Sequence, residues 1–280
     1  MKINKCIKSV MSGGGAVLGA PAKFFKFLCN PFVSDQAARL AFTIAEVLIT
    51  LGIIGVAASL TMPSLIQKHK EKELITRTKR VYSVIQNAVL MAQKENDTVG
   101  DNTFLFDTGK TSAEVASNFA KYFNGAKVCV SNSKDCSNYY YSVKFATRRK
   151  DDTSGTTIGT GMPVPRIITN DGAIIFINQM TSCERTSTDC KRDADYNCIK
   201  DENGKTTDVI QTSYNCAFID FDVNGPKPPN QFGQDVYELS VNVDKIVPNL
   251  TNLAGGKSFK NILMGVDKLE YTKYNVGESD

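Results

Sequence analysis

Four side chains in the last quarter of the chain have the types and spacing of a hard-cation site. Asp220, Asp222 and Asn224 alternate along Ile219-Asp220-Phe221-Asp222-Val223-Asn224-Gly225, and Asp235 follows in Gly233-Gln234-Asp235. On an extended strand these three share one face, and Ala217, Ile219, Phe221 and Val223 share the buried one. Two carboxylates about 7 Å apart on one face repel unless water or a cation lies between them. The run matches the opening of a calcium loop, D-x-[DN]-x-[DN]-G. The position that needs a bidentate Glu holds Gln231, however, and prolines occupy the loop, which excludes an EF-hand. The expectation is a calcium-stabilised loop with Asp220, Asp222, Asn224 and Asp235 as ligands. Its competitor is plain turn chemistry, with Asn-Gly and Pro-Asn fixing the chain and the aspartates solvated.

Cysteine is the second chemically informative residue type. Cys6 and Cys29 lie early in the chain; Cys129, Cys136, Cys183, Cys190, Cys198 and Cys216 lie after a long apolar stretch. No C-x-x-C pair occurs, which disfavours zinc and thioredoxin-like chemistry. An even set on one side of an apolar segment points to disulfides made in an oxidising compartment. Local pairing, Cys129–Cys136, Cys183–Cys190 and Cys198–Cys216, is the simplest of the connectivities open to six cysteines.

Other constellations carry less. His69, the single histidine of the chain, sits among charges and reads as solvated surface. Gly155, Gly159 and Gly161 fit neither a P-loop nor a dinucleotide fingerprint. Lys144, Arg148, Arg149 and Lys150 form a small basic cluster best read as a solvated loop. The formal charge of +4 over 280 residues is concentrated at one end: residues 1–41 hold six basic side chains against Asp35. The remainder is close to neutral and offers no footprint for nucleic acid. With no G-x-S-x-G and no metal-spaced His/Cys set, an enzyme is not expected.

The elements that must carry these residues begin with Phe42–Ile66, almost wholly apolar, with Glu46 as its one charged residue. About 20 apolar residues span a bilayer core as a helix. A carboxylate inside such a segment is costly and marks a functional position. The basic flank before it fits the cytoplasmic side of a membrane. Gly52, Gly55 and Pro63 make a flexible or kinked stretch. Beyond the apolar run, Leu74, Thr78, Val81, Ile85, Ala88 and Ala92 recur at helical spacing and form one apolar face. A helix from Phe42 to about Asn96 would be roughly 80 Å long.

Ala41-Phe42-Thr43-Ile44-Ala45-Glu46 followed by this helix resembles the processing signal of type IV pilins and type II secretion pseudopilins. The resemblance covers about residues 40–96. It implies that a prepilin peptidase cuts between Ala41 and Phe42 and methylates the new amino terminus. Opposite charges attract strongly in a low dielectric, so Glu46 either serves its own amino terminus one turn away, where the helix dipole favours an anion, or pairs between staggered neighbours with another subunit's amine and sets register. The family's helix proline and glycines match Pro63, Gly52 and Gly55. Two features depart from the family pattern: Ala41 stands where Gly is usual, and the leader is long. The segment Asp222-Val223-Asn224-Gly225, Pro229-Asn230, Gly233-Gln234-Asp235 is also similar to one in pilin-like proteins, some of which bind calcium in a carboxyl-terminal loop.

The resulting organisation is a cytoplasmic leader over 1–41, a transmembrane and filament-core helix over 42–66, an amphipathic continuation over 67–96, and a disulfide-stapled β-rich head over 97–280. The fold class is α+β, with the long amino-terminal helix packed on an antiparallel sheet. A short helix is expected over Ala113–Tyr122. Strands are expected over Lys127–Ser131, Tyr139–Ala146, Arg166–Thr169, Ala173–Asn178, Cys216–Val223 and Asp235–Val241. Asn170-Asp171-Gly172 reads as a hairpin turn. Lys150–Met162 reads as a loop, Thr181–Ser213 as a stapled surface excursion, and the last residues as a helix or strand followed by a loose tail.

These features lead to a pilin-like structural subunit of a type IV pilus or type II secretion pseudopilus. It sits in the bacterial inner membrane with its amino terminus cytoplasmic and its head extracytoplasmic. Removal of 41 of the 280 residues leaves 239, large for a major subunit, so a minor subunit is preferred. The implied partners are prepilin peptidase, other pilin or pseudopilin subunits, the inner-membrane assembly platform and membrane lipid before assembly. The alternative is a membrane-anchored binding protein or adhesin that never polymerises.

Overall fold

The computed structural model describes residues 43–147, 164–193 and 198–273. The leader 1–41, the expected cut between Ala41 and Phe42, the whole Lys150–Met162 loop and the basic trio Arg148–Lys150 lie outside these residues. The described residues divide into two units between Leu60 and Thr61. The architecture is α+β, with a long apolar helix followed by antiparallel strands.

Helix α1 runs Ile44–Glu95. Between Thr43 and Lys70 every residue is exposed except the half-buried Ala58, and the helix passes through Pro63 without a break. Gly52 and Gly55 have no atoms within 4 Å of where a side chain would begin. In the second unit the pattern changes to one buried stripe: Ile75, Thr78, Val81, Ile85, Ala88, Val89 and Ala92. The spacing is that of a helix face laid on a sheet.

The strands are β1 (Lys127–Cys129), β2 (Arg166–Ile168), β3 (Ile174–Gln179), β4 (Arg185–Cys190), β5 (Asp208–Ser213), β6 (Ala217–Asp222), β7 (Val236–Val241) and β8 (Ile246–Pro248). Six of them form one antiparallel sheet in the order β1-β2-β3-β6-β7-β8, and β4 and β5 form a separate two-stranded ribbon. The turn between β2 and β3 falls on Asn170-Asp171-Gly172. There Gly172 N donates to Thr169 O at 3.0 Å, and Gly172 takes a φ of +85° that its lack of Cβ allows.

One sheet face carries Ile167, Ile175, Ile177, Ile219, Phe221, Tyr237, Leu239 and Val241. It packs in a single core with the α1 stripe and two short helices. These are α2 (Ser112–Phe119), through Val115, Ala116 and Phe119, and α3 (Gly256–Leu263), through Phe259 and Ile262. Helix α2 opens on a reciprocal cap in which Thr111 and Glu114 bond each other's backbone N–H. Phe259 meets Tyr82 and Phe221 edge to face and Tyr237 at a tilt, with ring centroids 5.6, 5.8 and 4.9 Å apart.

The second face is covered as well, which strand alternation alone did not suggest. Ile168, Ile174 and Phe176 pack there with the Cys129–Cys136 disulfide and Tyr139, Tyr140, Tyr141 and Val164. Tyr139–Ala146 is therefore not the strand its aromatic, β-branched composition suggests. It is an irregular cover, tied down by Lys144 N donating to Asn230 O (2.9 Å) and Ala146 N donating to Leu253 O (3.0 Å).

Two of the three local cysteine pairings give way. Cys129–Cys136 is present, but the other bonds are Cys183–Cys216 and Cys190–Cys198. The ribbon explains the exchange. Its register, Arg185↔Ser213 through Cys190↔Asp208, brings Cys183 and Cys216 together at the base. Cys190 lies a full strand away, about 23 Å at 3.3 Å per residue, beyond any disulfide. The excursion at Thr181–Ser213 is thus an ordered ribbon, clamped at its base and bonded again at the end of β4.

Candidate functional site

The first candidate is the start of α1. Its apolar side chains are open to the surroundings: Ile44 is 80% exposed, Leu60 75% and Leu65 69%. A helix apolar on all sides is stable only in lipid or among other helices. By length and composition α1 can cross a membrane, and none of its most apolar stretch is buried within the chain. Glu46 is the one charge there. Its Oε2 accepts from Thr43 N and Thr43 Oγ1, both at 2.9 Å, and Glu46 N donates to Thr43 Oγ1 at 3.2 Å. This is a capping box, which satisfies orphan donors of the first turn where water is scarce. Thr43 did not stand out in the sequence reading, although Thr-x-x-Glu before an apolar run is the signature of such a cap. The same signature at Thr111–Glu114 marks α2. Phe42, the expected new amino terminus, lies outside the described residues.

The second candidate is the acidic region of β6, β7 and the loop joining them. The register runs Arg166↔Phe176↔Asp220↔Glu238 across β2, β3, β6 and β7, and Ile168↔Ile174↔Asp222↔Val236 two residues on. All eight side chains share the face covered by the tyrosine-rich segment. Asp220, Asp222 and Asp235 are buried, as is Arg166. The solvated-aspartate alternative therefore does not describe this site.

The four expected calcium ligands part into two groups. Asp220 lies opposite Glu238, to which Asn249 Nδ2 donates. Asp222 and Asp235 sit at the two ends of the loop and bind its backbone. Asp222 Oδ1 accepts from Asn224 N (3.0 Å) and Gly225 N (2.8 Å), and its Oδ2 accepts from Tyr141 Oη at 2.8 Å. Asp235 Oδ2 accepts from Asn230 N (2.9 Å), and Oδ1 from Gln231 N (2.8 Å). Asn224 Nδ2 donates to Lys227 O at 2.9 Å. The carboxylates thus do inside the loop what a cation would do, holding its backbone in place. Among the described residues no three His, Cys, Asp or Glu side chains gather around a common point.

Burial raises the pKa of every acid in this region. It lifts Asp222 well above the ordinary carboxylate range, and the nearby charge of Asp235 adds to the effect. Burial pushes Asp235 up to about 6, against the hydrogen bonds from Gln231 and Asn230 that favour its charged form. Asp220 rises through burial and then the charge of Glu238, and Glu238 rises through burial. Arg166 lies over the rings of Tyr140 (3.7 Å) and Phe176 (4.9 Å) and donates to Val164 O at 2.6 Å. Burial is the first cause of each shift and favours the protonated form, with Asp220, Asp222 and Asp235 buried and Glu238 half-buried.

A cleft of about 180 Å³ is lined by Arg77, Arg80, Val81, Asp171 and Val223. Its cations are already paired: Arg77 with Glu73 at 2.8 Å and Arg80 with Asp171 at 3.5 Å. His69 is exposed on α1.

Residues 64–206 match a family of unknown function, DUF6613. The match covers just over half of the chain, and the chain belongs to that family. No curated protein and no solved structure matches it.

Proposed function

We propose that this member of DUF6613 is a pilin-like structural subunit, preferably a minor one, of a type IV pilus or type II secretion pseudopilus. The observation that carries the reading is the change of character within α1. The helix is apolar and open on all sides around Glu46, then buries a single stripe against a disulfide-bonded antiparallel head. On this reading the exposed apolar stretch of α1 serves first as a lipid-embedded segment and later as packing surface for like helices. In this reading prepilin peptidase cuts between Ala41 and Phe42. The chain enters the inner membrane with a cytoplasmic amino terminus, and an assembly platform draws α1 into the filament among other subunits.

A second reading, a membrane-anchored binding protein that never polymerises, draws on the Thr43–Glu46 cap. That cap gives Glu46 a local use without any neighbour. Glu46→Gln separates the two, because Gln keeps the cap and loses the charge. A subunit that needs the charge to register against its neighbour loses filament incorporation and keeps membrane insertion; a simple anchor is unchanged in both. Sequencing the mature amino terminus tests processing directly. Methylated Phe42 is expected, and any other start removes the pilin reading.

A further inference from the structure

The outer edge of β4 has no partner strand among the described residues. The ladder fixes which of its backbone groups face outward. Lys191 N donates to Thr207 O at 2.9 Å, continuing the register Cys190↔Asp208. Odd-numbered residues of β4 therefore bond to β5, and even-numbered ones point away. Cys190 N, in the outward set, is turned onto Asp189 Oδ1 at 2.8 Å. The N–H and C=O of Thr186 and Thr188 remain facing out, and both residues are exposed. Unpaired backbone groups on an exposed, rigid strand are a template for another strand.

The residues of β4 identify the strand that fits. Arg185-Thr186-Ser187-Thr188-Asp189 is symmetric about Ser187 in residue type, with opposite charges at its ends. A second copy laid antiparallel, Ser187 over Ser187, places Thr186 opposite Thr188 and Arg185 opposite Asp189 on both sides of a two-fold axis. The threonines then occupy hydrogen-bonded positions. Arg185, Ser187 and Asp189 occupy non-bonded ones, where side chains approach most closely. Both charged side chains are already held near this edge. Arg185 Nη2 donates to Asn215 Oδ1 at 3.0 Å, and Asp189 Oδ1 accepts from Arg192 Nη2 at 2.9 Å. Strand β5 offers no such match, since its one charged residue is Asp208. The Cys183–Cys216 bond at the ribbon's base and Cys190–Cys198 at the end of β4 limit the ordering cost of pairing.

We propose that the outer edge of β4 is a self-recognition strand, which joins two copies of this chain by an antiparallel, isologous β4–β4 contact centred on Ser187. The contact is small, and anything that holds two copies close strengthens it. It does not depend on the pilin reading, because it uses only the ribbon.

The test uses the full chain in detergent. In the paired register the two Ser187 Cα atoms lie about 4.5 Å apart, within disulfide reach, whereas two Thr188 Cα atoms lie about 7–8 Å apart, beyond it. Under mild oxidation Ser187→Cys should give a covalent dimer and Thr188→Cys should not, with linkages mapped by mass spectrometry. The native Cys183–Cys216 and Cys190–Cys198 peptides in the same digest report the fold. Arg185→Glu in the Ser187→Cys background puts like charges opposite one another and should lower dimer yield about tenfold. A second readout needs no added cysteine. In sedimentation of the detergent-solubilised chain, Arg185→Asp should weaken association and Arg185→Asp with Asp189→Arg should restore it. A monomeric Ser187→Cys chain, equal cross-linking at Thr188→Cys, cross-linking to a different protein, or association indifferent to Arg185 would each overturn the proposal.

Discussion

Raising the pH from about 4 to 7 should loosen the loop between β6 and β7, the reverse of what salt-bridged carboxylates do. Asp235 has a folded pKa of about 6 against an ordinary 3.8. Between those values the folded chain keeps a proton that the unfolded chain has released, so stability falls as pH rises. The contribution is complete below about pH 4 and declines by up to about 1.4 kcal/mol per pH unit, about 3 kcal/mol by pH 6. Asp222 is raised by burial and by the charge of Asp235, and it extends the loss to higher pH. Asp222→Asn isolates the effect. The Asn carbonyl still accepts from Asn224 N and Gly225 N, which bond the single oxygen Oδ1, and the side chain carries no charge at any pH. The variant should therefore match or fall below the parent at about pH 4 and exceed it at about pH 7. Urea or thermal unfolding of the detergent-solubilised chain at several pH values provides the measurement. A parent midpoint that is flat or rises between about pH 4 and 6.5 would refute the reasoning, as would a variant that tracks the parent in parallel.

Two further outcomes follow from the ribbon and from α3. Replacing Cys183 and Cys216 together by Ser reopens a 33-residue separation and should cost about 3–4 kcal/mol in denaturant unfolding, whereas losing Cys190–Cys198, separated by 8, should cost about 2–3. The opposite ranking would show that the base clamp is not the stronger restraint. Gly256→Ala places a Cβ 2.1 Å from the Leu250 carbonyl carbon and should cost more than about 3 kcal/mol. Gly265→Ala, with φ at +78° and open space around it, should cost only about 1–2 kcal/mol. Comparable midpoints for the two variants would exclude the close approach at Leu250.

Periodicity made α1 legible, because the repeat from Leu74 to Ala92 has one physical outcome, a stripe on a sheet. The strands of the main sheet were legible for the same reason, except β8, whose Ile246-Val247-Pro248 ends in a proline and carries no alternation. The acidic site was half legible. Asp220, Asp222 and Asp235 stood out by type, but their burial depends on Tyr139–Ala146 covering the second face. That segment reads as a strand because aromatic and β-branched residues favour both uses. The ribbon escaped because Arg185–Thr188 is polar and the apolar pair of Asp208–Ser213, Val209 and Ile210, is adjacent and unburied, so neither strand has a buried face to impose an alternation. A strand held by cysteines and backbone pairing leaves little hydrophobic trace.

The nesting of the two ribbon disulfides bears on how the head is made. A chain emerging amino terminus first presents Cys183 and Cys190 before Cys198, and all three before Cys216. An oxidant acting in order of arrival joins the first two. That bond holds together the opposite ends of β4 and blocks the ribbon. The native pairs form only if oxidation waits for β5 to dock, or if a thiol exchanges the early bond afterwards. Maturation of this head therefore calls either for oxidation that lags behind the chain or for disulfide exchange, and the yield of native chain should depend on which is supplied.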